Sequence, residues 1–182
     1  MYTLKFVGLC GSLRQASRNR GLLRCCAAHL PKGITLELAD VAALPFYNED
    51  LPKPAAVSTL AEQVRTADAL VLACPEYNYS LAPALKNALD WLSREAAPTP
   101  LDGKAACIIG AGGGMGTARA QYHLRQVGVY LNLRFLNKPE LFANAFGPAF
   151  DADGNVVDAA LAQQTGELMQ ALADWTCQLK KA

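Results

Sequence analysis

The sequence predicts an α/β protein built around a five-stranded parallel sheet, because apolar, strand-like runs alternate with helical patterns along the chain. Three runs, at 3–10, 69–74 and 105–110, are largely apolar throughout, which is typical of strands buried on both faces. Two others, "ITLELAD" and "LNLRFLNK", alternate apolar with polar residues, which is typical of strands at the edges of a sheet. With the second and fifth strands outermost, the predicted strand order is 2-1-3-4-5.

Helices are predicted between these strands, since apolar residues recur there at intervals of three and four residues. The patterns occupy 22–30, 57–64, 81–92, 124–131 and 161–179. Helices that connect parallel strands cover both faces of the sheet, so the predicted fold is a flavodoxin-like three-layer sandwich. At 182 residues, the chain is expected to form a single domain over residues 1–182.

The composition is that of a globular protein, with 52% apolar and 18% charged residues. A net charge of +1 gives no electrostatic reason to expect nucleic acid or an acidic membrane as a partner. No apolar run approaches the ~20 residues that a bilayer-spanning helix needs. The N-terminal "MYTLKFVG" runs directly into a strand pattern, so no signal peptide is expected there.

The six cysteines show neither a C-x-x-C pair nor a Cys/His cluster with the spacing of a zinc site. We therefore predict reduced, mostly buried thiols and a cytoplasmic protein. The two histidines, His29 and His123, lie on separate predicted helices without neighbouring ligands, so no metal site is predicted.

Three loops follow the carboxyl ends of the central strands: "GSLRQASRN" after the first, "PEYNYSLAP" after the third and "GAGGGMG" after the fourth. In an open parallel sheet, ligands bind outside these ends, at the point where the strand order reverses. Each loop is rich in glycine or in polar residues. We therefore expect the three loops to converge on one binding site.

The first loop has the composition of an anion site. Because a helix N-terminus attracts negative charge, a ligand phosphate is expected here, held by Ser12, Arg14, Ser17 and Asn19. The alternative is that Ser17 or Asn19 only caps the helix while the arginines face solvent. The chain lacks the G-x-x-x-x-G-K-[ST] pattern, which argues against a nucleoside triphosphate.

The second loop follows a buried strand and is rich in aromatic residues. Tyr77 and Tyr79 provide flat apolar surface after the rigid Pro75. Asn78 and Ser80 add hydrogen-bond donors and acceptors. Together they suit a planar heteroaromatic ring with polar edges, and a surface turn packed on neighbouring loops is the alternative.

The third loop is a near match to the dinucleotide fingerprint G-x-G-x-x-G. Gly110, Gly112 and Gly116 depart from it by one residue, and the loop follows the fourth strand rather than the first. Glu140 stands near the separation at which an acidic ribose partner is sought, but it follows Pro139 beyond the last predicted strand. We therefore interpret the loop as backbone free of side chains that lies close to a bulky ring.

Two longer motifs, G-S-x-R-x-x-S-x-N and P-E-Y-N-x-S-x-x-x-x-L-K-N-x-x-D-W, together with "RAQYHLRQ" and "LNKPE", resemble the NADPH-dependent FMN reductase family. The similarity is greatest to its quinone and chromate reductase branch and extends from the first strand to about Glu140. It implies a flavodoxin-like fold that binds FMN non-covalently and oxidises NADPH or NADH. The implied electron acceptors are small molecules: quinones, azo dyes, nitroaromatic compounds or metal oxyanions.

The resemblance also implies roles for individual residues. The family's phosphate loop corresponds to Ser12, Arg14, Ser17 and Asn19, and the segment lining its isoalloxazine ring corresponds to Pro75, Glu76, Tyr77 and Asn78. The loop beside the pyrimidine end of the ring corresponds to Ala111, Gly112 and Gly113, and many relatives have serines or threonines in the segment that matches "GAGGGMGTAR". No catalytic side chain is expected, since the flavin carries the chemistry. The resemblance also implies a homodimer or homotetramer, formed through helices that match 83–94 and 116–130.

The sequence leaves two other functions open. One is a flavin-binding electron carrier or sensor that does not itself oxidise NAD(P)H. Carriers that resemble flavodoxins are strongly acidic, unlike this chain with its net charge of +1. The other is a nucleotide-binding protein that uses the glycine-rich loop as a dinucleotide site.

Overall fold

The computed structural model describes residues 3–181 and arranges them as a parallel sheet between two layers of helices. The strands are β1 (Leu4–Cys10), β2 (Ile34–Ala39), β3 (Ala69–Ala73), β4 (Glu76–Tyr77), β5 (Ser80–Leu81), β6 (Ala105–Gly112), β7 (Arg134–Phe135) and β8 (Leu141–Asn144). The helices are α1 (Arg18–Ala28), α2 (Ala55–Thr66), α3 (Pro83–Leu92), α4 (Ala118–Tyr130) and α5 (Ala159–Leu179). β4 and β5 form a small antiparallel hairpin apart from the main sheet.

The main sheet has the order β2-β1-β3-β6, and both β7 and β8 pair with the remaining edge of β6. All of these pairings are parallel, and the register places Phe6 beside Ala69 and Ala69 beside Ala105. The predicted flavodoxin-like order 2-1-3-4-5 is therefore confirmed, with one difference at the fifth position.

The fifth position of the sheet is shared by two short strands. The strand predicted within "LNLRFLNK" is present but short, because only Arg134–Phe135 pair there, beside the first residues of β6. Pro139 lacks the N–H that a continuous ladder needs, and the chain rejoins β6 only at Leu141. Glu140 therefore lies between two strands rather than beyond the last one.

Two apolar cores hold the helices on opposite faces of the sheet. Because successive side chains of a strand point to opposite faces, Phe6 packs in the core with α1 and α5, and Val7 packs in the core with α2, α3 and α4. The same alternation places Ile108 and Ile109 in different cores. This confirms the predicted three-layer sandwich. No helix within residues 3–181 has both the length and the hydropathy needed to cross a bilayer.

The loops that leave β1, β3 and β6 meet at one edge of the sheet. The Gly11 N–H donates to the Ala73 carbonyl at 2.9 Å, which joins the end of β1 to the end of β3. The Cys74 N–H donates to the Ile109 carbonyl at 2.8 Å, which joins the end of β3 to β6. The parallel register thus brings together three segments that are far apart in the chain.

Candidate functional site

A cleft of about 240 Å³ lies between the three loops at this edge of the sheet. Most residues predicted for the site line it: Ser12, Arg14, Ser17, Asn19, Pro75, Glu76, Tyr77, Ala111, Gly112 and Gly113. Asn78 is not among the lining residues, and three residues without a predicted role are: Arg18, Ala145 and Phe146. The fold therefore gathers residues from all three motifs into one concave site.

The start of α1 brings two hydroxyl groups to the cleft. Ser17 is the N-cap of α1, and its Oγ accepts the N–H of Arg20 at 3.2 Å. The O–H of Ser17 is a donor that this cap does not use. Ser12 is buried, and its hydroxyl meets no hydrogen-bond partner within residues 3–181. Capping of the helix and binding of an anion are thus compatible here.

Two cations at the start of α1 line the cleft, Arg14 in the loop and Arg18 in the first helical turn, whereas Arg20 of the same turn lines a neighbouring cavity. This turn has no acidic residue, and none of the three arginines forms an ion pair with another described residue. The Nε of Arg18 is buried and has no hydrogen-bond partner in the described part of the chain. Since a helix N-terminus is itself partially positive, this end of the cleft favours a bound anion such as a phosphate.

Asn19 joins the first loop to β6 through both ends of its side-chain amide. Its Nδ2 donates to the Ala111 carbonyl at 2.9 Å, and its Oδ1 accepts the Ala111 N–H at 3.0 Å. Both residues are buried, so these bonds are shielded from water. Asn19 and Ala111 therefore hold two walls of the cleft together, and much of their hydrogen-bonding capacity is already used.

The β4–β5 hairpin forms another wall, and its turn has an unusual backbone. Asn78 and Tyr79 have φ angles of 50° and 68°, the two left-handed positions that a two-residue type I′ turn needs. Asparagine adopts this conformation comparatively readily, whereas a bulky aromatic residue rarely does. Asn78 therefore shapes the turn, while Tyr77 lines the cleft.

Glu76 anchors the hairpin to α4. Its Oε1 accepts the Nε–H of Arg119 at 2.5 Å, and its Oε2 accepts the backbone N–H of Ala120 at 3.3 Å. The hydrogen bond to the Glu76 carboxylate raises the pKa of Arg119. The Arg119 guanidinium also lies 3.7 Å from the centroid of the Tyr79 ring. Both oxygens of the Glu76 carboxylate thus accept hydrogen bonds from α4 and link the hairpin to that helix.

A further contact between the hairpin and α4 joins Ser80 to His123, whose Nδ1 lies 3.1 Å from the Ser80 Oγ. A nucleophilic serine needs a base whose ring is oriented by a third group. His123 has no such third partner among residues 3–181. The Ser80–His123 pair therefore docks the hairpin.

The thiol nearest to the hairpin is Cys74, which directly precedes Pro75. Burial raises the pKa of the Cys74 thiol to about 12, so it stays protonated near neutral pH. The other five cysteines are also free thiols, and all six except Cys177 are buried. The cysteines thus behave as the small buried residues that their sequence spacing predicted.

The glycines of the loop after β6 fall into two groups, those in closely packed positions and those in open positions. A Cβ on Gly110 would lie 1.8 Å from the Thr117 Oγ1, so this glycine allows the chain to pack on itself. A Cβ on Gly113 would instead meet only the Phe146 ring, at 3.9 Å, and one on Gly114 would meet nothing within 4 Å. Fewer positions of this loop are therefore open to a ligand than its number of glycines suggested.

A larger, apolar cavity of about 520 Å³ adjoins the cleft and shares Arg14 and Tyr77 with it. Leu44 and Phe46 contribute to its walls from the loop between β2 and α2. Phe46 is 80% exposed, so a large aromatic ring borders this cavity and faces solvent. The sequence pattern there indicated only a proline-containing loop, and the cavity was not predicted.

Comparisons with known proteins give one consistent result. A family model for NADPH-dependent FMN reductase matches residues 4–147, a segment that contains every residue lining the cleft. An NAD(P)H-dependent FMN reductase of Pseudomonas aeruginosa is 46% identical over 181 residues, covering 97% of each chain. An NAD(P)H:quinone oxidoreductase of Solanum tuberosum is 45% identical over 186 residues, covering 97% of this chain and 95% of the relative.

Similarity extends to solved structures. The flavoenzyme NAD(P)H:(acceptor) oxidoreductase of Paracoccus denitrificans superposes with a TM-score of 0.87 at 30% identity. The match covers 96% of this chain and 98% of that one. The relatives are thus similar over nearly their whole length, in sequence and in fold.

Proposed function

The chain belongs to the NADPH-dependent FMN reductase family, and we propose that it transfers electrons from NADPH or NADH to a quinone or another small acceptor by way of FMN bound in the cleft. The observation that carries this proposal is the meeting of three motif loops in one cleft, with an unneutralised cationic end at the start of α1. FMN, when bound, accepts the hydride and passes the electrons on. The remaining tasks fall to the residues of the cleft.

At the cationic end, Ser12, Arg14 and Ser17 are the proposed ligands of the FMN phosphate. The two hydroxyls have donors to spare, and Arg14 provides charge at the mouth of the cleft. Asn19 is not a proposed phosphate ligand itself, because its side-chain amide is hydrogen-bonded to Ala111. It keeps the phosphate loop in register with the loop after β6, where Gly113 is open to a ligand.

At the opposite end, the hairpin and the glycine-rich loop are the proposed walls for the isoalloxazine ring. Pro75 and Tyr77 line the cleft on one side, and Ala111, Gly112 and Gly113 line it on the other. Glu76 holds the hairpin in position through Arg119, so its proposed role is structural. We expect the glycine-rich loop to contact the ring through its backbone groups. In many relatives, hydroxyl side chains are expected in this loop instead.

The adjoining apolar cavity suits the second substrate. Its wall residues Leu44 and Phe46 offer apolar surface, and the shared residues Arg14 and Tyr77 place it next to the proposed cofactor cleft. A quinone ring is the acceptor that this lining fits best. Azo dyes, nitroaromatic compounds and metal oxyanions are further candidate acceptors that the resemblance implies.

We also propose a homodimer or homotetramer and a cytoplasmic location. The outer face of α4 carries three exposed apolar or aromatic side chains: Tyr122, Val129 and Tyr130. Such a group favours contact with another copy of the chain. The free thiols are those of a protein that works in a reducing compartment.

The deciding experiment is the visible spectrum of the purified protein after incubation with FMN and desalting, followed by anaerobic NADPH and then a quinone. Retained flavin bands that NADPH bleaches and the quinone restores support the proposal. Bands that persist after NADPH and NADH identify a flavin-binding carrier or sensor instead. A colourless protein that binds NAD tightly identifies a dinucleotide-binding protein, and both of these results overturn the proposal.

A further inference from the structure

We infer that Arg18 provides a second guanidinium for the FMN phosphate and makes the cleft selective for FMN over riboflavin. This inference rests on the proposed function and adds a residue to it. Arg18 stands inside the first motif, yet the resemblance to the family assigns it no role. It is the first residue of α1 and directly follows the N-cap Ser17.

The Arg18 side chain has no hydrogen-bond acceptor within residues 3–181. It lines the cleft, and its Nε–H is buried. The one carboxylate that lines the same cleft belongs to Glu76, which is already paired with Arg119. Because Arg18 lines the cleft without an acceptor among residues 3–181, its guanidinium is available to an anion that enters the cleft.

The other two arginines of α1 differ from Arg18, because neither of them lines the cleft. Arg20 lines a different cavity, next to Gln15 and Asp40. Arg24 donates from both Nε and one terminal nitrogen to the Asn155 Oδ1, at 2.9 and 2.6 Å. Arg18 is therefore the helical arginine that is available to the cleft, and its charge adds to that of Arg14.

A phosphate monoester is the ligand group that fits this arrangement. It carries close to two negative charges at neutral pH and presents three acceptor oxygens, which two guanidinium groups and two hydroxyls can satisfy together. Riboflavin has the same ring but lacks the phosphate, so Arg18 has nothing to bind in its complex. The discrimination between the two flavins is thus the direct measure of the role of Arg18.

The test is a titration of the flavin-free protein with FMN and with riboflavin, followed by flavin fluorescence. Arg18→Gln is expected to weaken FMN binding by about tenfold or more while riboflavin binding changes by less than about twofold. Arg18→Lys, which keeps the charge, is expected to recover part of the loss. Arg20→Gln is the matched control, since it removes one charge from the same helical turn outside the cleft.

The outcomes separate this inference from the proposed function. If the parent protein does not bind FMN, the proposed function fails and the inference fails with it. If the parent binds FMN and Arg18→Gln and Arg18→Lys both bind it equally well, only the inference is overturned. It is also overturned if Arg18→Gln raises the KM for NADPH but not for NADH at unchanged FMN affinity, because the guanidinium then serves the nucleotide 2′-phosphate.

Discussion

A Cβ on Gly112 would lie 2.1 Å from the carbonyl oxygen of Gly116, so the loop after β6 closes on itself at a point where no side chain fits. Gly112→Ala must shift backbone rather than a flexible side chain. We expect it to lower the free energy of unfolding by at least about 2 kcal/mol. Urea denaturation of the parent and the variant measures this loss.

The neighbouring Gly113→Ala is the matched control, because its Cβ would meet only the Phe146 ring at 3.9 Å. We expect it to change stability by less than about 0.5 kcal/mol and to lower FMN affinity instead. Equal losses of stability in the two variants would contradict the distinction between a closely packed Gly112 and an open Gly113.

Asn19→Ala removes both hydrogen bonds to Ala111 and leaves a buried N–H and a buried carbonyl without partners. We expect a loss of about 2–4 kcal/mol in the free energy of unfolding. Asn48→Ala removes an exposed amide bonded only within its own turn and is expected to cost less than about 0.5 kcal/mol. Similar midpoints of urea unfolding for the two variants would contradict the role assigned to Asn19.

Arg14→Ala removes an exposed cation that lines both the cleft and the adjoining cavity. We expect FMN binding to weaken by ~1.5–3 kcal/mol, the value of one hydrogen bond to a charged group, or roughly 10- to 150-fold in Kd. Stability of the flavin-free protein should be unchanged, because Arg14 forms no ion pair with another residue of 3–181. Unchanged FMN affinity would remove Arg14 from the phosphate site.

The central part of the fold can be predicted from the sequence because its physical signal is local. β1, β3 and β6 are buried on both faces, so their residues are apolar whichever way they point. β7 and β8 carry no such signal. They have two and four residues, and the interruption at Pro139 is a property of the backbone rather than of hydropathy.

The site shows the same division between local and distant signals. The loops could be located because ligands bind beyond the carboxyl ends of parallel strands. The bonds between Asn19 and Ala111 could not, since these residues are 92 positions apart and neither residue type indicates the other. The pairing of Glu76 with Arg119 joins residues 43 positions apart and was missed for the same reason. Arg18 was visible in the motif, but only the fold reveals that its Nε is buried.

Arg119→Met replaces the arginine with an unbranched, uncharged side chain. It removes both the ion pair with Glu76 and the contact of the guanidinium with the Tyr79 ring. We expect the hairpin to loosen, because the left-handed Tyr79 then loses the contact that favours its conformation. Hydrogen exchange at the amides of 76–81 should accelerate, and kcat/KM with a quinone should fall.

Arg125→Met is the control for this variant, since Arg125 lies on the same helix and contacts Phe135 instead. Exchange in the hairpin should be unaffected by it. If the hairpin amides of Arg119→Met exchange no faster than those of the parent, the turn is held by its own backbone and Arg119 is not its anchor.

Alkaline pH should destabilise the protein through its buried thiols. Burial raises the pKa of Cys107 from 9.0 to about 12, as it does for Cys74. Above pH 9 the unfolded chain therefore releases these protons while the folded chain keeps them. Since the unfolded state then binds fewer protons, stability falls as the pH rises between about 9 and 12. For one such thiol the loss between about pH 8 and about pH 10 is about 1.4 kcal/mol.

Cys107→Ala removes one of these thiols at the cost of a constant packing defect. Its deficit in the free energy of unfolding should therefore shrink by about 1.4 kcal/mol when urea denaturation is repeated at about pH 10 instead of about pH 8. Ile108→Val, a neighbouring buried substitution that removes no ionisable group, serves as the control, and its difference from the parent should stay the same at both pH values. A deficit for Cys107→Ala that does not change with pH would mean that the thiol ionises as easily in the folded protein as in the unfolded chain.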